Sequence, residues 1–443
     1  MDDFRALADA VAADIESGRL GPGDRLPTQR RFARDHGVAV STASRVFGEL
    51  VRRGLAVGEV GRGTFVRAGR HNPAAAIAEP AASRIDLELN FPVLPQQAGL
   101  LARSLEGLLR ADALAAALVG PRPSGTPAAR AVAATALTRQ GWTPDPSQIL
   151  FAGNGRQGIA ATIAALVPIG GRLGVEAMTY PVVQGVAARL GVELVPIPMD
   201  ADGLRPDALA AAGPLRAVYL QPTLHNPLGV TMPVQRRAAL ARVLTDLDLP
   251  VIEDTIYAFL RADAPAPLAA LVPERTIVVD SLSKRVAPGL TVGFVVPPLA
   301  MVERMAAALR TGGWTASAFA IEATMRWVAD GTLQLVERAK HADAAVRQQV
   351  VRERLAGFAV HADPAAYHCW WELPAPWRAE TFVAAAARRG IAITPAAAFT
   401  VGAGRAPNAV RLAVSVPPVP VLAAALDTLA SIARNPGGDN GLE

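Results

Sequence analysis

A lysine stands where the sequence changes from a buried strand to a turn. Lys284 follows the β-branched run TIVVD and two small hydroxyl residues, and it precedes the turn Pro288-Gly289. Of the 44 basic residues, 42 are arginines; the other lysine, Lys340, lies in ERAKHAD, which is typical of an ordinary charged helix. A lysine amine can lose its proton and attack a carbonyl, whereas a guanidinium stays protonated. We therefore predict that Lys284 anchors a phosphorylated aldehyde; the alternative is a solvated lysine after a strand.

Other polar residues follow strands that alternate with helical segments. A short apolar strand is present in each of the segments RLGVEAM, VELVPIP, RAVYLQPTLHNPLG, LPVIEDTIYAFL and RTIVVDSLSK. This alternation predicts a mostly parallel sheet with both faces covered by helices. Functional residues are expected at the strand ends, where the sequence places Tyr180, Asn226, Asp254, Tyr257 and Lys284.

This set of residues matches the needs of pyridoxal 5'-phosphate. Asp254 can pair with the pyridinium nitrogen, and Asn226 and Tyr257 can donate to the ring oxygen. Tyr180 can stack on the ring. The phosphate is expected at a glycine-rich turn before a helix and at small hydroxyls, namely Gly155, Arg156, Gln157, Ser281 and Ser283. Viewed singly, Asp254 is more often a surface carboxylate and Tyr180 more often a core aromatic, and the glycine turn is as often a plain strand-to-helix connection.

The first seventy residues predict three helices and a hairpin. Helical spacing begins at Phe4, Thr28 is predicted to cap a short basic helix, and Ser41 is predicted to cap a third helix that ends at Gly54. The run LAVGEVGRGTFV predicts two short strands around a glycine-rich tip. Twelve arginines against nine carboxylates in residues 1–70 favour a polyanionic partner. The alternative is a small helical module that binds protein.

The segment from Leu7 to Val66 resembles the winged helix-turn-helix of the GntR family of bacterial transcription regulators. The resemblance rests on the loop SGRLGPGDRLPTQR, the turn GVAVST and the wing GRGTFV. It implies a double-stranded DNA operator as partner, with contacts at Arg30, Ser41, Thr42, Arg45, Arg62 and Gly63. Val40 stands in the turn where family members often have an arginine, so one expected DNA contact is absent.

The segment from Asp86 to Arg434 resembles the fold type I aminotransferases. The resemblance rests on the order along the chain of Tyr180, Asn226-Pro227, Asp254, Tyr257 and Ser283-Lys284. It implies that Lys284 forms the internal aldimine and that Arg411, in NAVRLAV, binds a substrate carboxylate. A winged helix joined to such a domain resembles the MocR subfamily of GntR regulators.

The sequence departs from the aminotransferase pattern seven residues after the lysine. Relatives usually have an arginine there for the cofactor phosphate, but this chain has Thr291. Arg156 and Arg285 are the candidates to compensate. A residue adjacent to Lys284 on a strand would point the other way, which disfavours Arg285.

Length and composition predict the domain organisation of the 443 residues. We expect an α+β winged helix-turn-helix in residues 1–69, a linker in residues 70–84, and an α/β pyridoxal-phosphate-dependent transferase fold in residues 85–443. The last of these combines a large, mostly parallel sheet with a small α+β lobe. No apolar run approaches the roughly twenty residues that span a bilayer, and the lone Cys369 argues against zinc or a disulfide. We expect a cytoplasmic protein that binds neither membrane nor metal.

Two functions fit these residues. The first is a transcription regulator that acts as a head-to-tail homodimer and senses an amino acid or amine effector through aldimine exchange at Lys284. The second is a working aminotransferase with an incidental or autoregulatory DNA-binding domain, because Lys284 and Arg411 are both present. A weaker third is a DNA-binding protein with an inactive cofactor pocket, which only Thr291 supports.

Overall fold

The computed structural model describes residues 4–16, 19–20, 24–52, 55–59, 63–66, 85–111, 114–115, 118, 120, 122–402 and 406–435. The helices are α1 (Phe4–Glu16), α2 (Gln29–Asp35), α3 (Val40–Arg52), α4 (Gln97–Leu105), α5 (Pro127–Leu137), α6 (Gly155–Leu166), α7 (Pro181–Arg189), α8 (Pro206–Ala211), α9 (Val234–Asp246), α10 (Leu268–Leu271), α11 (Leu282–Arg285), α12 (Val302–Thr311), α13 (Ala318–Ala329), α14 (Thr332–Arg354), α15 (Ala379–Arg388) and α16 (Val419–Arg434). The strands are β1 (Ala56–Glu59), β2 (Gly63–Val66), β3 (Ile85–Asp86), β4 (Leu150–Ala152), β5 (Arg172–Glu176), β6 (Glu193–Ile197), β7 (Met199–Asp200), β8 (Gly203–Leu204), β9 (Ala217–Leu220), β10 (Val251–Asp254), β11 (Thr276–Ser281), β12 (Gly293–Val296), β13 (Ala359–His361), β14 (His368–Glu372), β15 (Ile391–Ala392), β16 (Thr394–Pro395) and β17 (Ala409–Ala413).

The N-terminal helices and hairpin share one apolar core. Helices α1 and α2 both pack on α3, and β1 pairs with β2 in antiparallel register. Thr28 Oγ1 accepts from Arg31 N at 3.3 Å, which confirms the predicted cap of α2. The prediction that Ser41 caps the third helix is wrong, because helical geometry already begins at Val40 and places Ser41 in the first turn. Gly54 lies outside the described residues.

The large sheet has seven strands in the order β4-β12-β11-β10-β9-β5-β6. Strands β5, β6, β9, β10 and β11 are parallel, and β12 is antiparallel to both of its neighbours. The predicted mostly parallel sheet is therefore confirmed, and β12 is an additional, antiparallel strand that the sequence pattern did not predict. Gly158 allows helix α6 to lie close to the sheet. A Cβ at this position would be only 3.2 and 3.3 Å from the side chains of Val295 and Val279.

A smaller lobe carries the second sheet, with the order β13-β14-β17-β16 and antiparallel pairing throughout. It confirms the predicted α+β lobe. Residues 85–92, here called the lead-in segment, join this lobe through the parallel pair β3 and β15. Leu87 continues the contact, since its N–H donates to Ala392 O and its carbonyl accepts from Ala413 N.

The protein is predicted to bind neither a membrane nor a metal ion, and helix length and side-chain grouping are the features that relate to this prediction. In the part of the chain that the structure describes, no helix is both long and apolar enough to cross a membrane. Within the same residues, no three His, Cys, Asp or Glu side chains are grouped so as to hold a metal ion. Cys369 is buried in the small lobe.

Candidate cofactor site and DNA interface

A cavity of about 320 Å³ opens where strands of the large sheet end. Eight of the predicted cofactor residues line it, namely Gly155, Arg156, Tyr180, Asn226, Asp254, Tyr257, Ser283 and Lys284. Residues that the sequence analysis did not single out also line it, among them Leu89, Phe91, Asn154, Gln221 and Ile256. Gln157, Ser281 and Arg411 lie next to lining residues without lining the cavity themselves. The fold thus brings together residues that are far apart in sequence.

Lys284 lies in the short helix α11, directly after β11. Ser281 Oγ begins this helix by accepting from Ser283 N at 3.1 Å. The Lys284 amine donates to Asn90 O and lies 3.5 Å from the centre of the Phe91 ring. Burial lowers the pKa of Lys284 well below its ordinary value, and neighbouring cations lower this pKa further. A neutral amine that faces the cavity is the form that attacks an aldehyde.

The cations around Lys284 come from three different elements. They are Arg156 on α6, Arg411 on β17 and Lys340 on α14, and each lowers the pKa of Lys284, whereas Asp254 raises it. The favourable charge of one carboxylate is outweighed by burial and three positive charges. Burial and these three cations therefore favour the unprotonated form of the Lys284 amine.

Asp254 is the last residue of β10 and its carboxylate is fully enclosed. Tyr219 donates its hydroxyl to Asp254 Oδ2 at 2.6 Å, and Ile256 N donates to Asp254 Oδ1 at 3.0 Å. Burial nevertheless raises the pKa of Asp254 to about 6. Within the described residues the Asp254 carboxylate accepts from Tyr219 and from Ile256 N and forms no ion pair with an arginine or lysine, so a cationic ring nitrogen would supply a positive partner.

The N-terminus of α6 forms the anion-binding end of the cavity. Asn154 Oδ1 caps this helix by accepting from Gln157 N at 3.0 Å, and Gly155 and Arg156 follow in the first turn. A Cβ at Gly155 would meet Ser281 Cβ at 3.1 Å, so glycine keeps the turn close to the serine. Helix N-termini with free N–H groups and nearby hydroxyls bind phosphate.

The anion-binding end of the cavity has Thr291 in place of an arginine, and Arg156 and Arg285 are the candidates to compensate. Thr291 lines the cavity, and its hydroxyl lies 2.9 Å from Ser281 Oγ. Arg156 also lines the cavity and donates from Nε to the Tyr180 hydroxyl at 3.2 Å. Arg285 does not line the cavity, and its guanidinium donates to Asp280 at 2.7 Å and to Glu337. Arg156 is therefore the arginine placed to compensate for Thr291.

Arg411 lies behind the cavity on β17 of the small lobe. Its guanidinium donates to Asn226 Oδ1 at 3.4 Å, to Thr394 Oγ1 at 3.1 Å and to Glu88 O. Arg411 Nε is buried and has no hydrogen-bond partner among the described residues. A buried, unpaired donor next to Asn226 is suited to a ligand carboxylate, because such donors are costly when left unsatisfied.

Sequence reasoning missed four residues that shape the site. Asn90 and Phe91 hold the Lys284 amine, Tyr219 holds Asp254, and Lys340 binds the turn that carries Lys284. The interpretation of Lys340 as part of an ordinary charged helix is wrong. Its side chain is fully buried, since it lies on the inner face of α14 and its amine donates to backbone carbonyls. The scarcity of lysine was the available signal, and it applied to both lysines.

Four of the six predicted DNA contacts lie on α2 and α3. Arg30, Ser41 and Arg45 are exposed and Thr42 is half-buried, while Ala43, Val46 and Leu50 face the core. The Arg45 guanidinium lies 4.1 Å from the centre of the Phe4 ring. Gly63 has a φ of 122°, and a Cβ there would meet Arg25. Val40, where relatives often have arginine, is exposed, and Arg62 lies outside the described residues.

The donor set fits pyridoxal phosphate. The cavity has an amine of lowered pKa at Lys284, a carboxylate without a cationic partner at Asp254, an aromatic hydroxyl at Tyr257 and a helix N-terminus for an anion. These groups match the aldehyde, ring nitrogen, ring oxygen and phosphate of that cofactor. Fold and site together define the class of pyridoxal-phosphate-dependent proteins with an aminotransferase fold.

Comparisons with known proteins agree on both parts of the chain. The family model "Aminotransferase class I and II" matches residues 85–429, and "Bacterial regulatory proteins, gntR family" matches residues 5–66. The HTH-type transcriptional regulator YdeF of Bacillus subtilis is 30% identical over 419 residues, which cover 94% of this chain and 90% of YdeF. The HTH-type pyridoxine biosynthesis transcriptional regulator PdxR of Corynebacterium glutamicum is 26% identical over 336 residues, covering 74% of this chain and 73% of PdxR.

A solved structure gives the same fold for the larger part. Pyrococcus horikoshii kynurenine aminotransferase superposes with a TM-score of 0.74 at 21% identity, covering 84% of this chain and 96% of the enzyme. The chain belongs to the MocR-type regulators, which join a GntR helix-turn-helix to an aminotransferase class I and II domain. It is a transcription regulator, and its cofactor is pyridoxal 5'-phosphate.

Proposed function

We propose that the aminotransferase-like domain is the sensor of this regulator, and that an amino acid or amine effector changes operator binding by competing with Lys284 for the cofactor. Pyridoxal phosphate, when bound, supplies an aldehyde that reacts reversibly with amines. Three residues of the chain determine how well an effector competes with Lys284 for the cofactor. Lys284 presents an amine whose pKa is lowered, Asp254 binds the ring nitrogen, and Arg411 receives a carboxylate on the effector.

One observation carries the proposal of a sensor. The lead-in segment, which follows the residues of the DNA-binding domain in sequence, accepts hydrogen bonds from two ligand-binding side chains, Lys284 and Arg411. Lys284 donates to Asn90 O, and Arg411 donates to Glu88 O. An effector that displaces Lys284 or binds Arg411 changes the hydrogen bonds that hold this segment. The position of the segment then responds to the effector, and it is the part of the domain nearest in sequence to the DNA reader.

We further propose that the protein acts as a head-to-tail homodimer in the cytoplasm and binds a double-stranded DNA operator with two-fold symmetry. Helix α3 enters the major groove, with Ser41, Thr42 and Arg45 toward the DNA, supported by Arg30 and the wing residues Arg62 and Gly63. Cytoplasmic placement follows from the need to reach chromosomal DNA.

The second candidate function is transamination. It is favoured by the low pKa of Lys284 and by Arg411, because a working enzyme needs the same nucleophile and the same carboxylate partner. Enzymes turn over with a median rate on the order of ten per second. A rate of that order with an amino acid and a 2-oxo acid would place catalysis ahead of sensing.

The test uses the full-length protein loaded with pyridoxal phosphate and DNA fragments selected for binding from a random-sequence pool. A panel of amino acids and amines is titrated while the visible absorption band and DNA affinity are recorded. Allosteric couplings are typically ~1–3 kcal/mol, so a ligand that alters the band is expected to change operator affinity roughly 5- to 150-fold. Lys284→Ala removes both the covalent band and the response. A ligand that alters the band but leaves affinity, footprint and transcription unchanged refutes the sensor.

A further inference from the structure

Lys340 is a buried cation whose environment differs from that of a surface residue. It lies on α14 with a fully buried side chain. Its amine donates to three backbone carbonyls, at 2.7 Å to Pro92 O, 2.8 Å to Lys284 O and 2.7 Å to Val286 O. These carbonyls belong to two separate segments, the lead-in segment and the turn of α11. Lys340 therefore joins two parts of the chain that have no sequence proximity.

The geometry of the three bonds explains why a lysine occupies this position in an arginine-rich chain. An ammonium carries three N–H donors on one atom, which can converge on three acceptors around it. A guanidinium is planar and spreads its donors over three nitrogens. Three carbonyls within 2.8 Å of one nitrogen therefore suit an ammonium and exclude a guanidinium.

The two segments that Lys340 joins also meet at the cavity. On that side the Lys284 amine donates to Asn90 O and lies over the Phe91 ring. Lys340 thus holds from behind the same turn and the same segment that Lys284 contacts in front. We infer that Lys340 is a positioning residue, which fixes the α11 turn against the lead-in segment and so directs the Lys284 amine into the cavity.

Electrostatics adds a second effect of the same residue. The positive charge of Lys340 lowers the pKa of Lys284, after burial and the charges of Arg156 and Arg411. Burial lowers the pKa of Lys340 itself to about 7, whereas Glu337 and Asp343 on the same helix raise it, and the three carbonyl acceptors favour its charged form. On the facing α11, Arg285 pairs with Glu337. Loss of the Lys340 charge therefore raises the pKa of Lys284 and delays its deprotonation to higher pH.

The inference rests on the proposed function, because it assumes that Lys284 binds the cofactor. The test replaces Lys340 with Met, which keeps an unbranched side chain without donors or charge. The matched control is Gln348→Met on the same helix, where a buried amide donates to Ala366 O and His368 O in the same way. Both variants lose buried hydrogen bonds, but only the first touches the Lys284 turn.

Two measurements on the full-length protein separate positioning from general stability. The rate at which cofactor-free protein forms the covalent visible band with pyridoxal phosphate is recorded against pH, and the circular dichroism of that band reports the orientation of the bound ring. Lys340→Met is expected to move the pH midpoint upward and to lower the dichroism about twofold or more. Gln348→Met is expected to leave both at wild-type values.

Each outcome of these measurements either supports or overturns the inference about Lys340. A folded Lys340→Met protein with the wild-type midpoint and dichroism overturns the inference, as does a Gln348→Met protein that shows the same changes. If Lys340→Met does not fold, Lys340→Arg decides, since it keeps the charge and breaks the three-way contact. That variant is expected to lose dichroism, and wild-type dichroism would overturn the inference. A covalent band in Lys284→Ala would instead refute the proposed function, so the two failures are distinguishable.

Discussion

Asp254→Asn tests the idea that the site stores an unpaired charge for the cofactor. Asp254 has a pKa of about 6, against an ordinary value of 3.8. The folded protein therefore holds this proton more tightly than the unfolded chain does. The contribution of Asp254 to stability is present below pH 3.8, falls as pH rises to about 6 and stays low above that. At ~1.36 kcal/mol per pH unit, keeping Asp254 ionised at pH 7 costs about 3 kcal/mol in the cofactor-free protein.

Asparagine removes this cost and retains most contacts. Its Oδ1 still accepts from Ile256 N, whereas the Tyr219 hydroxyl loses a carboxylate acceptor, at a cost of about 1 kcal/mol. The cofactor-free variant is expected to gain about 2 kcal/mol in the free energy of unfolding at pH 7, and the gain disappears near pH 4. Affinity for pyridoxal phosphate is expected to fall roughly 10- to 150-fold, because a hydrogen bond to a charged group contributes ~1.5–3 kcal/mol.

Urea unfolding followed by tryptophan fluorescence measures the stability part. All six tryptophans lie between Trp142 and Trp377, so the signal reports the aminotransferase-like domain alone. Asp246→Asn, at the exposed end of α9, is the control and should change stability by no more than about 0.5 kcal/mol. The reasoning is refuted if Asp254→Asn is less stable than wild type at pH 7, or if it binds the cofactor as tightly as wild type does.

Two further predictions concern the two ligands. Thr42→Ala and Arg45→Ala should weaken operator binding and leave the visible band unchanged, and loss of one phosphate contact should reduce the slope of the salt dependence of binding by about one. Gel shifts at several salt concentrations measure this dependence. The control is Arg304→Ala, at an exposed position on α12. Arg411→Ala should keep the cofactor and basal DNA binding but lose the response to carboxylate-bearing effectors, with about 1–3 kcal/mol less stability because the acceptors at Glu88 and Thr394 are left unpaired. A full response in Arg411→Ala would assign the effector carboxylate elsewhere.

Much of the fold follows from periodicity. Five strands of the large sheet alternate with helices and were predicted, and Thr28 was identified because a cap is a local signal. Strand β12 was missed because GFVV is four residues long and lies between proline-rich turns, so its pairing with β4 and β11 is visible only in three dimensions. The start of α3 at Val40 was misplaced by the hydroxyl residue that follows it.

The site residues also fall into those that a local sequence pattern predicts and those that depend on contacts distant in sequence. Lys284, Asp254 and Asn226 lie at or after strand ends, and the topology of a parallel sheet brings such positions together. Asn90 was missed because it contacts Lys284 across 194 residues, and nothing local marks a backbone carbonyl as an acceptor. Tyr219 was missed because it lies within a buried strand, where an aromatic residue is ordinary. Lys340 is buried because its face of α14 meets the lead-in segment. The sequence of α14 alone does not show which of its faces does so.

The placement of the two lysines leaves the exterior of the protein without a lysine amine. Lys340 is fully buried, and Lys284 faces the cavity. Cellular aldehydes and acyl donors, which modify lysines indiscriminately, therefore meet no lysine on the outer surface. Apart from the α-amino group, reductive trapping with borohydride or an amine-reactive dye would label one position. Free pyridoxal phosphate, itself a reactive aldehyde, would then form no background adducts on surface lysines, and the colour of the protein would count occupied sites directly.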